Sequence, residues 1–228
     1  MAFTLKEVIP WGRTFEEYLG MFRLNQDELK QKRILGCGDG PASFNAEATQ
    51  LGINVTSCDP IYAFSADEIR SQIDATYALV MEKLQFESDT FIWTTFRSPD
   101  DLGAARMTAM RRFLEDYIEG RTKGRYQVGA LPVLNYGDKQ FDLVLVSHFL
   151  FLYSDQFSQQ FHIDAMMELC RVAHEVRVFP LNALGGTLSP YVRPVMEHLR
   201  ELGYRAEKVP VSYEMQKGAN TMLVISKG

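Results

Sequence analysis

Paired cysteines, long apolar runs, low-complexity tracts and an excess of positive charge are all missing from this 228-residue chain. Each absence removes a class of function. The three cysteines, Cys37, Cys58 and Cys170, are odd in number and have no paired spacing, which excludes a disulfide framework and a zinc site. They read as reduced, buried thiols. No stretch approaches the roughly 20 apolar residues of a membrane helix. The amino-terminal segment, with Lys6, Glu7 and Pro10 in it, lacks a signal-peptide core, so a cytoplasmic protein is expected. A formal charge of −5 and a pI near 5.5 offer no general attraction to nucleic acid or anionic lipid. The carboxylates are not clustered as a magnesium site requires, so no metal is expected. The expected partner is a small molecule, bound by a monomer or a homodimer. With 46% hydrophobic and 23% charged residues, the chain has ordinary globular composition, enough for one domain over 1–228.

What is there is organised around residues 32–59. Arg33-Ile34-Leu35 reads as a short apolar strand, followed at once by Gly36-Cys37-Gly38-Asp39-Gly40. Glycines at alternate positions let the backbone turn sharply and approach a ligand that side chains would hold away. A helix over 42–51 follows, with unpaired N–H groups at its start and Gly52 at its end. A second strand over 53–58 then delivers Asp59 about 20 residues beyond the first glycine, the spacing at which an acid meets ribose hydroxyls. Taken alone, the glycines also fit an ordinary strand-to-helix turn. Strand, helix and acid together point to a nucleoside.

The segment Leu35-Gly36-Cys37-Gly38-Asp39-Gly40 resembles the first motif of class I S-adenosylmethionine-dependent methyltransferases, and Cys58-Asp59-Pro60 resembles the second. Nicotinamide enzymes usually place a third glycine one position later, where this chain has Pro41. The resemblance implies a Rossmann-like three-layer α/β sandwich: a seven-stranded, mostly parallel sheet with an antiparallel last strand. It implies S-adenosylmethionine as cofactor and S-adenosylhomocysteine as product. It places Gly36, Cys37, Gly38, Gly40, Asp59 and Pro60 on the cofactor, with Asp59 at the ribose. Ser147 and His148 join them at the end of the fourth strand. Many relatives carry an acid after the third strand to meet the adenine. This chain has Gly129-Ala130-Leu131-Pro132, so backbone groups of Ala130 and Leu131 are expected to replace it.

The remaining elements follow in order. Thr14 and Glu17 form a capping box that opens a helix, and 14–31 reads as an amino-terminal helical cap. In the resembled family such a helix folds over the cofactor, which puts Arg13, Tyr18 or Phe22 near methionine or substrate; for Phe22, packing on the sheet is the favoured reading. Ser65 and Glu68 open a second capped helix reaching Phe86, and Tyr62 stands where a ring could lie along adenine or pack at the strand end. Residues 87–125 read as an insertion. Within it, Ser98-Pro99-Asp100-Asp101 starts a helix expected to stop at Gly120, with Arg106 on its mostly solvated side. Trp93 and Phe96 are expected to form part of a substrate lid, or simply to pack on that helix.

Strands follow at 126–129 and 141–147, then a helix over 158–173 and a strand over 175–179. A helix begins at Ser189-Pro190, and two strands at 206–213 and 221–226 end the chain. Phe149 and Asn182 fall on loops at the expected ligand side and, with Tyr18 and Trp93, are the candidate substrate contacts. His148 is the candidate general base, its alternative being a local structural role. The chain lacks the Asn/Asp-Pro-Pro-aromatic motif of DNA and glutamine amino methyltransferases, and a small acceptor is expected. Two rivals stand: a non-catalytic methyltransferase-like scaffold, and a nicotinamide oxidoreductase.

Overall fold

The computed structural model describes residues 9–228; the signal-peptide expectation, which rests on Lys6 and Glu7, lies outside them. Seven strands form one sheet: β1 (Arg33–Cys37), β2 (Asn54–Cys58), β3 (Tyr126–Gln127), β4 (Phe141–Ser147), β5 (Ala173–Phe179), β6 (Tyr204–Pro210) and β7 (Thr221–Lys227), in the order β3-β2-β1-β4-β5-β7-β6. All neighbours pair parallel except β7, which is antiparallel to both β5 and β6. The mostly parallel sheet with an antiparallel last strand is therefore observed. Among the described residues no helix is long and apolar enough to cross a membrane.

The near-continuous apolar runs of β1 and β4 follow from burial on both faces. Leu35, Cys37, Val144 and Val146 pack in one cluster with α6 (Gln159–Val172) and α7 (Val192–Glu201). Ile34, Leu143 and Leu145 point the other way, into a cluster with α1 (Phe15–Phe22) and α3 (Phe44–Gln50). The short helix α2 (Gln26–Leu29) joins α1 to the sheet. Each fully buried Leu, Ile or Val contributes about 1.5–3 kcal/mol relative to exposure. These two clusters hold the sheet between its helical layers.

Between β2 and β3 the chain makes a long antiparallel excursion, α4 (Ala66–Phe86) and α5 (Pro99–Thr122). Both helices start as the sequence predicts. Ser65 and Glu68 form a reciprocal capping box, and the Ser98 hydroxyl accepts from the Asp101 N–H ahead of Pro99. A third cluster fills the space between them and β3, with Tyr62, Phe113, Tyr117 and Tyr126 ring to ring.

Three expectations are corrected. Gly120 does not stop α5, which runs to Thr122; a Cβ there would sit 2.4 Å from the Tyr126 ring, so the glycine serves close approach of β3. Ser189-Pro190 does not begin a helix directly: α7 starts at Val192, after Ser189 has accepted from the Tyr191 N–H and bonded Ser154 across the loop. Arg106 is not solvated. It is 2% exposed, and its guanidinium holds Glu17 of α1 in a two-pronged ion pair. The helix period places Arg106 on the polar side only if nothing polar waits on the other.

Glu17 accepts from five groups: the Thr14 N–H that completes the capping box, the Thr14 hydroxyl, both terminal nitrogens of Arg106 and the Tyr213 hydroxyl. Burial pushes its carboxyl up, but the Arg106 charge and hydrogen bonds more than offset this and hold it at about 2. Arg13 lies close enough to contribute to the same field. Breaking a buried ion pair leaves an uncompensated charge at a cost of about 3–5 kcal/mol. Urea denaturation is expected to show that loss for Arg106→Met and a larger one for Glu17→Gln, because the latter leaves Arg13 and Arg106 without their shared anion.

Candidate functional site

The strand order reverses between β1 and β4: from β1 the chain builds outward through β2 and β3, then returns to β4 and continues on the other side. A crevice opens at such a switch point, beyond the carboxyl ends of the strands. Here those ends deliver Cys37 from β1, Cys58 and Asp59 from β2, and Ser147 and His148 from β4.

The glycine loop after β1 is held by its own side chains and its neighbours. The Gly38 N–H donates to the Cys58 carbonyl at 2.8 Å, and the backbone then turns through φ +72° at Gly38 and +53° at Gly40. Both values favour glycine. Gly36 has another reason to lack a side chain, since a Cβ would lie 1.8 Å from the Asp39 carboxylate. That carboxylate is buried and accepts from the Ser57 hydroxyl at 2.6 Å and the Tyr18 hydroxyl at 2.8 Å. It ties the loop to β2 and α1. Asp59 holds the other side, accepting from the Gly40 N–H at 2.9 Å and the Ile61 N–H at 2.8 Å. Each of its oxygens keeps a second acceptor position. Burial raises the Asp59 carboxyl, against the pull of those two N–H bonds.

Around this loop lies a cavity of about 410 Å³. Of the residues assigned to the cofactor from sequence, Cys37, Gly38, Gly40, Asp59, Pro60, Ala130, Leu131, Ser147 and His148 all line it. Gly36 does not; it lies beneath the Asp39 carboxylate. Tyr18 and Phe149 line this same cavity, and Phe149 packs 3.1 Å from where a Gly38 Cβ would stand. Arg13 lines it too, whereas Phe22 is core, edge-on to Phe179. Tyr62 lies outside it, in the aromatic cluster below the loop, donating to the Gly40 carbonyl at 2.8 Å.

A second cavity of about 150 Å³ adjoins the first. Both are lined by Ile9, Trp11, Arg13 and His148, which form the partition between them. The far walls are apolar, from Val80 and Leu84 of α4, Leu102 of α5, Phe91, Phe179 and Met215. Polar groups sit among them: Arg106, Glu87, Gln216, Tyr213 and the Tyr153 hydroxyl, which accepts from the Ile9 N–H. The 87–125 segment supplies Phe91, Leu102 and Arg106 to this chamber, but Trp93 lines neither cavity. Its indole donates to the Ser88 carbonyl at 3.0 Å and packs on Phe91. Phe96 instead covers the Arg106 guanidinium at 5.4 Å. Asn182 lines neither cavity; its amide donates to the Gly186 carbonyl at 2.6 Å and closes its own loop.

His148 is the hinge of the partition. Its φ is +52°, its N–H donates to the Phe179 carbonyl at 2.6 Å, and its Nδ1 lies 3.0 Å from the Ser147 hydroxyl. Burial, then the Arg13 and Arg106 charges, push the imidazole well below its usual range, so it is neutral at physiological pH. Sequence reasoning missed Trp11 and the pair Arg106–Tyr213. Trp11 stacks on Tyr77 of α4, a contact across 66 positions that no local pattern records.

Burial pushes the Asp39 carboxyl up to about 6, against its two hydroxyl donors. The folded protein thus holds this proton to higher pH than the unfolded chain, whose carboxyl titrates near 3.8. The resulting stabilisation is complete below about pH 4 and is lost as pH rises through about 6. Urea midpoints measured from about pH 4 to about pH 7 are expected to fall for the natural protein and to flatten in Asp39→Asn.

No family model matches the chain. A Methanocaldococcus jannaschii protein described as uncharacterized protein MJ0045 is 34% identical over 224 residues, covering 98% of this chain and 98% of its own. Among solved structures, the PH0226 protein from Pyrococcus horikoshii OT3 superposes with a TM-score of 0.49 at 14% identity, over 93% of this chain and 90% of that one. Ribosomal protein L11 methylase from Lactobacillus delbrueckii subsp. bulgaricus gives 0.43 at 15% identity, over 92% and 76%. PigF with SAH gives 0.46 at 14%, over 92% and 60%.

Proposed function

We propose that this protein, which belongs to one family with MJ0045 of Methanocaldococcus jannaschii, is an S-adenosylmethionine-dependent methyltransferase acting on a small-molecule acceptor. One observation carries the reading: two cavities meet at a shared wall of Ile9, Trp11, Arg13 and His148. One is built on the glycine loop and Asp59, and the other is closed by apolar side chains of α4, α5 and β5 around Arg106 and Tyr213. Methyl transfer needs this arrangement, because donor and acceptor must be held in line and water kept from between them.

The residues around the larger cavity fit the cofactor. Gly38 and Gly40 leave their backbone bare at the crevice, and Asp59 keeps acceptor positions free for ribose hydroxyls. Ala130 and Leu131 would flank the adenine, with Leu131 supplying an apolar contact and the backbone of both supplying polar ones. The bound cofactor supplies an activated methyl group on a sulfonium. Ser147, His148 and Phe149 stand where that end would face the second cavity. Phe149 lines only the cofactor side, which favours a role in shaping that cavity over direct contact with an acceptor.

His148 is the candidate general base of this reading. Its Nδ1 is paired with Ser147, and the neutral imidazole can accept from a hydroxyl or amine nucleophile. The burial and the two guanidiniums that keep it neutral also make it a weak base, which favours orienting the nucleophile over removing its proton. With an acceptor in hand, turnover is expected to hold steady as pH is lowered through about 6.5, the ordinary imidazole value. A rate loss centred there would show an imidazole that titrates normally, against the buried placement. The non-catalytic rival shares the fold and the loop; sustained turnover separates the two.

The primary test is calorimetry with S-adenosylmethionine, S-adenosylhomocysteine and NAD. Micromolar binding of the adenosyl ligands, about −8 kcal/mol, is expected. Asp59→Ala is expected to weaken it by tenfold or more, roughly 1.4 kcal/mol. Tight NAD binding without adenosyl binding would replace this reading with an oxidoreductase.

A further inference from the structure

The second cavity contains a charge imbalance that the methyltransferase reading leaves unused. Arg13 and Arg106 both line it, and in both the Nε is buried without a hydrogen-bond partner. Arg106 is paired with Glu17 through its two terminal nitrogens. Arg13 has one hydrogen bond of its own, from Nη1 to the Trp11 carbonyl at 3.0 Å, and among the described residues it forms no ion pair. The cluster thus sets two guanidiniums against one carboxylate, with Tyr213 donating to that carboxylate as well. Glu87 also lines this cavity, and no ion pair joins it to either arginine.

A half-buried guanidinium whose Nε is buried without a partner and which, among the described residues, forms no ion pair is costly unless an anion or water accompanies it. Burial and the Arg106 charge draw Arg13 down to about 10, which still leaves it protonated at neutral pH. The missing anion belongs on the side of the second cavity. The first already holds the Asp39 and Asp59 carboxylates, and Arg106, the second guanidinium of this cluster, lines only the second. The surrounding walls, Leu84, Leu102, Phe91, Phe179 and Met215, are apolar.

We propose that the acceptor is a small carboxylic acid with an apolar body, its carboxylate received by Arg13 beside Arg106 and its body held by the apolar walls of the second cavity. This names the substrate class for the methyltransferase reading and rests on it. Arginine suits the task because its planar fork can meet both oxygens of a carboxylate. The anion would complete a cluster of two cations and two anions, and that balance is what selects it against a neutral isostere.

The test compares benzoate, phenylacetate and hexanoate with benzamide, phenylacetamide and hexanamide by calorimetry in a carboxylate-free buffer. Each is titrated into the free protein and into protein saturated with S-adenosylhomocysteine. At least one acid is expected to bind about tenfold or more tighter than its amide, as a charge-assisted hydrogen bond allows. That preference is expected to disappear in Arg13→Gln and to survive in part in Arg13→Lys. Equal binding of acids and amides, or no binding by any of the acids, overturns the proposal. So does an Arg13→Gln protein that keeps the preference.

If Arg13→Gln instead loses S-adenosylhomocysteine affinity about tenfold while acids and amides bind alike, Arg13 holds the cofactor's own carboxylate and the proposal fails. Circular dichroism checks that the variants fold, and the acid-against-amide comparison on the natural protein decides the matter without them. Absence of S-adenosylhomocysteine binding to the natural protein removes the methyltransferase reading itself. The acid-against-amide difference in free protein is a separate readout, so the two failures are distinguishable.

Discussion

Glu17 is the residue on which the rest of this architecture depends. It is one carboxylate, buried, and it answers to its own helix cap at Thr14 and to two distant parts of the chain: Arg106 in the middle of α5, and Tyr213 in the connection from β6 to β7. A buried carboxylate tolerates its surroundings only when its oxygens are satisfied. Satisfying them here requires α1 to lie across the sheet, α5 to turn its one buried arginine inward, and the β6–β7 connection to close over both. The second cavity borders this cluster: Arg13, Arg106 and Tyr213 all line it.

The glycine loop obeys a parallel constraint with the opposite sign. Two carboxylates, Asp39 of the loop itself and Asp59 beyond β2, sit on either side of its glycine backbone. Asp39 is braced by hydroxyls of α1 and β2, and Asp59 by N–H groups of the loop and the following turn. Desolvation makes both anions reluctant, and neither meets an arginine. The molecule therefore keeps its anions at the loop and its surplus cation, Arg13, in the partition itself. The two chambers differ in electrostatic character although they share a wall, and His148, held neutral, stands between them.

The insertion between β2 and β3 shows how such a chamber is built from surplus chain. α4 and α5 pack on each other and on β3 through an aromatic cluster, and the segment joining them returns to the β6–β7 connection, where the Ile92 N–H donates to the Met215 carbonyl at 2.7 Å. Phe91 and Leu102 reach the cavity from there, while Trp93 anchors the joint by its indole N–H. The aromatic cluster at 91–96 stands out in the sequence. Which ring faces the cavity is set by where the backbone pairs, and that pairing partner lies more than a hundred residues away.

The sequence by itself determined the elements governed by local chemistry. The apolar run of β4, the alternate glycines after β1, the acid closing β2 and the capping boxes at Thr14–Glu17 and Ser65–Glu68 are all interactions within a few positions, and the structure forms each of them. The residues around the glycine loop were legible for the same reason, since strand ends in a parallel sheet point to one edge. Tertiary structure alone decided the partition and the second cavity. Arg106 lies on what the helix period marks as a polar face, and only the arrival of Glu17, 89 positions earlier in the chain, makes burying it favourable. Trp11, Arg13 and Tyr213 meet it by the same route. A long-range ion pair leaves no periodic trace in sequence, because its favourable term exists only once both charges have left water together.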